Sequence, residues 1–281
     1  MISKALIPIA GTGTRMAPVT HAMPKAMLPL PAGPSSMLPV LHWILAEVAA
    51  AGVGEAMLIC SAGQVDIVQR YLEVASSAGL PKLPGKIHME LQTRPAGFGD
   101  AVATGKEFVG SEPFLLMLGD HVYIPAQGAD PCASQVLQAF ESNDAVATVG
   151  VQSVCTEQLA QVGVPKGQPL KDGLYKCEDF LEKPDKAAAE RRLHTPGLSS
   201  GHFLGHCGIY VFDPEIFRCL TELATEAARN ACELQLADAQ SLLLTEHPEQ
   251  YFLREIKGRA YDTGTPAEYV KAVAAFAERN L

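Results

Sequence analysis

KALIPIAGTGTRMAPVTHAMPKAMLPL, residues 4–30, is the segment from which most of the rest can be inferred. Its apolar run from Ala5 to Ala10 predicts a buried strand, and Gly11 and Gly13 predict a tight turn directly after it. Backbone N–H groups in such a turn point outward together and can bind phosphate oxygens. Arg15 and Lys25 add two positive charges to the same place. The segment therefore predicts a strand whose end holds a nucleoside triphosphate.

Two common phosphate-binding motifs are excluded by the letters of this turn. A dinucleotide fingerprint needs a third glycine where Met16 stands, and a P-loop needs Gly-Lys-Ser/Thr where the chain has Gly13-Thr14-Arg15. Taken by itself, the glycine turn is also compatible with a purely structural role. The whole segment resembles the signature of the sugar-nucleotide pyrophosphorylases, G-x-G-T-R-x-x-P-x-T followed by P-K and L-P. The matching residues are Gly11, Gly13, Thr14, Arg15, Pro18, Thr20, Pro24, Lys25, Leu28 and Pro29.

Composition and charge narrow the class of protein. The chain has 281 residues, of which 48% are hydrophobic, so it is long enough to bury a full core. Its formal net charge of -9 argues against nucleic acid or an anionic membrane as the main partner. The seven cysteines form no C-x-x-C pair, which argues against a zinc site and a disulfide framework. No apolar run reaches membrane-spanning length, and we expect a cytoplasmic protein.

Strand and helix patterns alternate along the chain. Leu38 to Val48 predicts a helix that Gly52 ends, Met57 to Cys60 a strand, Val65 to Val74 a helix and Ile87 to Leu91 a strand. This rhythm predicts an α/β fold, a Rossmann-like, mostly parallel mixed sheet with helices on both faces. From about residue 152 the pattern loosens, so we expect a nucleotide-binding half (1–151) and a sugar-phosphate-binding half (152–281) of one continuous domain.

Ligands bind such sheets where the strands end, so polar residues there are candidates for chemistry. The amide of Gln92 suits the polar edge of a base, and Gly97 could let a flat ring approach, although an ordinary loop is equally compatible. Asp120 follows the strand Phe114 to Leu118 and is placed to hold magnesium, with a solvated loop aspartate as the alternative. His121 beside it is expected to be a loop residue. Asp262 is a second carboxylate at a strand exit.

The resemblance assigns roles to these residues and to others. It implies that Ala10, Gly11, Gly13, Thr14, Gln92 and Gly97 bind the nucleotide. It implies that Gly163, Glu182 and Gly208 bind the sugar, and that Asp120 and Asp262 bind Mg²⁺. Arg15, Lys25 and Lys183 would act as catalytic cations on the phosphates. Glu182 and Lys183, in Glu-Lys-Pro, are expected to point to opposite sides of an extended chain rather than pair.

The resemblance is nearest to the bacterial UTP-glucose-1-phosphate uridylyltransferase type, with thymidylyltransferases close behind. It implies UTP and a hexose 1-phosphate as substrates, and a homo-oligomer, a dimer or tetramer. A different base or sugar, a dehydrogenase and a non-catalytic nucleotide-sugar sensor are the alternatives. The dehydrogenase is disfavoured by Met16, and the sensor by the presence of both metal carboxylates.

Overall fold

The computed structural model describes residues 1–75 and 80–280. Its strands are β1 Lys4–Pro8, β2 Pro29–Gly33, β3 Ser36–Pro39, β4 Glu55–Cys60, β5 Lys86–Leu91, β6 Phe114–Met117, β7 His121–Pro125, β8 Ala147–Cys155, β9 Gly163–Lys171, β10 Leu174–Glu182, β11 His202–Phe212, β12 Tyr251–Glu255 and β13 Gly258–Asp262. Its helices are α1 Val40–Ala50, α2 Val65–Ala75, α3 Phe98–Thr104, α4 Lys106–Val109, α5 Cys132–Glu141, α6 Lys186–Arg192, α7 Glu215–Arg229, α8 Leu236–Glu246 and α9 Pro266–Asn280.

A nine-stranded mixed sheet runs through the described residues in the order β5-β4-β1-β6-β11-β8-β12-β10-β9. Strands β5, β4, β1 and β6 are mutually parallel, and β8 and β12 are parallel to each other. Strand β11 is antiparallel to β6 and β8, and β10 is antiparallel to β12 and β9. The predicted α/β class is confirmed. The predicted limit between halves, at residues 151 and 152, falls inside β8.

Apolar side chains cover both faces of this sheet, as expected for strands packed between helices. One cluster joins β1 and β4 to α1 and α5, and another joins β6, β8 and β11 to α7 and α8. Helix α1 contributes the fully buried Leu41, Ile44 and Leu45, and the chain leaves it through Gly52 at φ 83°. Leu38, expected in this helix, instead lies in β3, because Pro39 lies between the strand and the helix.

The second half is more regular than its sequence pattern indicates. Strand β8 extends to Cys155, and β9 and β10 form a hairpin in the stretch expected to be loose. Residues 233–235 run past α3 without regular secondary structure, and α8 begins at Leu236. A short antiparallel ladder of β7 and β13, which was not predicted, stands beside the main sheet.

The remaining global predictions concern the cysteines and membrane association. All seven cysteines are unpaired and five are buried, which confirms that they form no disulfide framework. Within residues 1–75 and 80–280, no helix combines the length and apolar character needed to span a lipid bilayer.

Candidate active site

A cavity of about 440 Å³ opens where the parallel strands end. Its volume lies in the range of small-molecule sites in proteins. Charged residues from distant parts of the chain meet in its wall, namely Arg15, Lys25, Asp120, Glu182, Lys183, Glu233 and Asp262. Ala10, Gly11, Gln92, Gly97 and Gly163 also line it. The structure thus brings eleven of the predicted site residues to one cavity.

Three predicted site residues, Gly13, Thr14 and Gly208, are absent from the residues lining the cavity. Gly13 takes the left-handed conformation, φ 66°, at the start of the short helical turn Thr14–Met16. Its carbonyl accepts a hydrogen bond from Thr20 Oγ1 at 3.0 Å. Gly13 therefore sets the conformation of the turn without lining the cavity.

Among the described residues, no backbone N–H from Gly11 to Arg15 donates a hydrogen bond to a protein acceptor. The side chain of Gln64 ties the turn to the sheet, because its Nε2 donates to the carbonyl of Ile9 at 2.9 Å. A run of unused N–H groups beside Arg15 is suited to bind an anion.

Asp120 and Asp262 come together through the β7–β13 ladder. Asp120 is the residue before β7, and Asp262 pairs across the ladder with His121. Thr263 closes the junction, since its N–H and its Oγ1 donate to the Asp120 carbonyl at 2.7 and 2.8 Å. One ligand atom from each of Asp120, His121 and Asp262 lies within 4.8 Å of the others.

Asp120 is held between two cations. Lys25 Nζ lies 2.5 Å from its Oδ2, and His121 Nδ1 lies 2.9 Å from its Oδ1. Burial opposes the charge on Asp120, but the hydrogen bond from His121 and the charge of Lys25 outweigh it and lower the pKa of this carboxyl. Burial also disfavours the charge on His121, yet its contact with Asp120 raises the pKa of the imidazole. His121 is therefore a half-buried member of the cluster and not the loop residue expected.

The donor set fits a hard divalent cation. Mg²⁺ prefers carboxylate oxygens, and Asp120 and Asp262 supply four between them. Each carboxylate oxygen has two lone pairs, so the bonds from Lys25 and His121 leave acceptor capacity on Asp120. On Asp262, Oδ1 accepts the N–H of Gly264 at 2.5 Å. These two residues could hold the metal, and the imidazole of His121 would not be required as a ligand.

Strand β5 forms one edge of the sheet and the β9–β10 hairpin the other, and Gln92 follows β5 and lines the cavity. Its Nε2 donates to Gly97 O at 3.1 Å and to Asp100 Oδ2 at 2.8 Å. Gly97 has φ 112°, and a side chain there would collide with the backbone of Leu234. The glycine is thus required for close passage of another chain segment, a reason that the sequence did not indicate.

Glu182 and Lys183 end the β9–β10 hairpin, where Glu182 pairs with Gly163. The expectation that they point apart is wrong, because Lys183 Nζ lies 3.2 Å from Glu182 Oε1. Lys183 has φ 48°, so the chain is not extended there and both side chains reach one side. Gly163 fits where a side chain would meet His206 and Glu182.

Strand β11 places two further residues, His206 and Gly208, close to the hairpin and the carboxylate cluster. Gly208, at φ 83°, leaves room for His121, whose Cγ would lie 3.0 Å from an added Cβ, so it supports the carboxylate cluster from below. His206 lines the cavity, and its buried Nε2 has no hydrogen-bond partner among the described residues. Burial lowers the pKa of His206 to about 4, so the imidazole is neutral.

Sequence reasoning missed His121, His206, Asp100 and Gly264. A lone histidine carries no signal in one sequence, and His121 is recognisable only through its cross-strand partner Asp262. Asp100 was visible only as part of the segment after Gln92.

This fold and this cavity belong to one class of protein. A profile of the nucleotidyl transferase family matches residues 4–279. The chain is a member of that family.

Named relatives and solved structures are similar to the chain over nearly its whole length. The chain is 33% identical to the UTP–glucose-1-phosphate uridylyltransferase of Streptococcus pneumoniae serotype 4, over 96% of this chain and 88% of the relative. Its fold superimposes with a TM-score of 0.81 on a UDP-glucose pyrophosphorylase solved with UDP-glucose, at 24% identity over 99% of this chain and 100% of the other. A UTP-bound enzyme of this type from Acinetobacter baumannii gives a TM-score of 0.76 at 22% identity, over 98% of this chain and 93% of the other.

Proposed function

We propose that the protein transfers a uridylyl group from UTP to glucose 1-phosphate, forming UDP-glucose and pyrophosphate. One observation carries the proposal: Arg15, Lys25, Asp120, Lys183 and Asp262 converge on a single cavity although they lie up to 247 positions apart in the chain. The names of the relatives support the choice of substrates.

The chemistry follows from charge. A sugar phosphate is already an anion at neutral pH, since its second pKa is about 6, so no general base has to activate it. The protein has to bring two anions together and hold the attacking oxygen in line with the α-phosphorus. We assign Arg15 and the N–H groups of the glycine turn to the β- and γ-phosphates, where charge accumulates as pyrophosphate leaves.

The other cations act at the point of reaction. Lys25 would neutralise the triphosphate next to the reacting phosphorus, and Lys183 would hold the sugar phosphate. Glu182 would accept hydrogen bonds from sugar hydroxyls, beside Gly163. Mg²⁺ held by Asp120 and Asp262 would supply further positive charge against the phosphates. No covalent intermediate with the protein is required.

A pyrophosphate-release assay tests the proposal. UTP, dTTP, CTP and GTP are each offered with glucose 1-phosphate and with its epimers, in the presence and absence of magnesium chloride. We expect the highest kcat/KM for UTP with glucose 1-phosphate, and none of this activity in EDTA. Release that is fastest with dTTP would replace the proposal by thymidylyl transfer. No release with any pair would overturn it.

A further inference from the structure

The amide of Gln92 is fixed in one orientation. Its Nε2 donates one hydrogen to Asp100 Oδ2 at 2.8 Å and lies 3.1 Å from Gly97 O, which accepts the other. A carboxylate and a carbonyl can only accept, so turning the amide over would place its oxygen against two acceptors. The two acceptors therefore place Nε2 next to Asp100 and Gly97 and leave Oε1 on the other side of the amide.

This fixed orientation determines which atom of the Gln92 amide is available to a ligand. Both hydrogens of its Nε2 are used inside the protein, and Oε1 remains. Gln92 lines the cavity, whereas Asp100 is absent from the lining residues. Asp100 is therefore behind Gln92 and reaches a ligand only through it.

Asp100 is itself well anchored. It lies in the first turn of α3, where a carboxylate is favoured by the helix dipole. Its backbone carbonyl accepts a hydrogen bond from Thr104 Oγ1 at 3.0 Å. The same turn is pinned to the 233–235 segment, since Gly99 N donates to Leu234 O at 2.8 Å.

We propose that Asp100 is a positioning residue that makes Gln92 a pure hydrogen-bond acceptor toward the base, and so favours uracil over cytosine. This inference rests on the proposed function, which supplies a uracil base, and on the expectation that Gln92 is one of the residues that bind the nucleotide. Uracil carries an N3–H donor at the centre of its polar edge. Cytosine has a lone pair at that position and its amino donor one ring position away. Cytosine can satisfy Oε1 only if the whole base shifts in the cavity.

Direct binding tests the inference without any need for turnover. Titration calorimetry compares UTP with CTP, each with magnesium chloride, on the wild type, Asp100→Asn and Asp100→Ala. Wild type is expected to prefer UTP by about tenfold or more, as one well-placed hydrogen bond permits. Both variants remove the charged acceptor and leave only the carbonyl of Gly97 to hold the amide, which can then turn over at a smaller cost. Their preference for UTP is therefore expected to shrink to about threefold or less, mainly through weaker UTP binding.

A matched control separates this effect from the loss of a carboxylate in the first turn of a helix. Asp66 is an exposed aspartate in the first turn of α2, so Asp66→Asn removes the same kind of charge and leaves both hydrogen bonds of the Gln92 amide in place. This variant is expected to keep the wild-type UTP preference. Thermal unfolding of each variant verifies that it is folded.

The outcomes are distinct. A UTP preference that persists in both folded Asp100 variants overturns the inference, and so does a wild type that binds UTP and CTP equally. An equal loss of affinity for both nucleotides also overturns it, because that result marks a structural role. If the preference behaves as expected but no sugar phosphate is ever converted, the proposed function fails and the inference stands.

Discussion

A single methyl group at Gly264 tests the geometry of the charged cluster. Gly264 is buried, and its backbone is outside the left-handed region. A Cβ added there would lie 2.7 Å from Asp262 Oδ1, 2.9 Å from Arg15 Nη2 and 3.0 Å from Asp120 Oδ2. Gly264→Ala therefore alters no charge and contacts three of the residues assigned to phosphate and metal.

The expected fall in kcat follows from the distance by which the added methyl group displaces its neighbours. An ordinary contact to a Cβ begins at 3.4 Å, and the nearest oxygen would lie at 2.7 Å, so it has to move by about 0.7 Å. Misplacement by 1 Å costs a reaction about a hundredfold. We expect kcat to fall by about 10- to 100-fold, or about 1.4 to 2.7 kcal/mol of activation free energy. Overpacking is expected to lower the free energy of unfolding by about 1 to 3 kcal/mol, which leaves the protein folded.

Pyrophosphate release at saturating UTP and glucose 1-phosphate measures kcat, and a magnesium titration measures the metal requirement. Gly54→Ala is the matched control, because it adds the same methyl where no atom lies within 4 Å. It is expected to leave both values unchanged. If Gly264→Ala has the kcat and the magnesium requirement of the wild type, the three side chains are not the reacting cluster.

Other substitutions test single roles. Lys25→Met keeps the length of the side chain but removes the charge beside Asp120, and kcat is expected to fall by about 10²- to 10³-fold in the same assay; a wild-type kcat would take Lys25 out of the reaction. Asp262→Asn is expected to raise the magnesium concentration needed for half-maximal rate, and an unaltered magnesium curve would contradict its assignment as a ligand. Thr265→Ala removes the hydrogen bond that Thr265 Oγ1 accepts from Glu268 N at 3.4 Å. Thermal unfolding is expected to show a loss of about 0.5 to 1 kcal/mol without a change in kcat, and a larger loss of kcat would show that the cap matters to the site.

Sequence patterns predicted correctly those elements that depend only on residues adjacent in the chain. The strand before the glycine turn follows from one apolar run, and the structure confirms it as β1. The carboxyl-end rule also indicated correctly that Asp120 would lie in the cavity.

The missed features depend on contacts between distant segments. His121 joins the cluster because β7 pairs with β13, and Thr263 bonds to Asp120 across 143 positions of the chain. The conformation of Lys183 is set where its N–H donates to Val162 O, at 3.1 Å, as the hairpin closes. No spacing within one segment encodes such contacts, which is why Glu182 and Lys183 were wrongly expected to diverge.

Cationic and anionic side chains stand side by side in the wall of the cavity. Three cations, Arg15, Lys25 and Lys183, line it together with four carboxylates, Asp120, Glu182, Glu233 and Asp262. Lys25 is paired with Asp120 and Lys183 with Glu182, so each ammonium is held in place by a carboxylate. On the proposed function, binding exchanges that carboxylate for a phosphate, and little reorganisation is left for the reaction itself. Catalysis then depends on the positions of the charges as much as on their number, which is why a neutral methyl at Gly264 is expected to be so damaging.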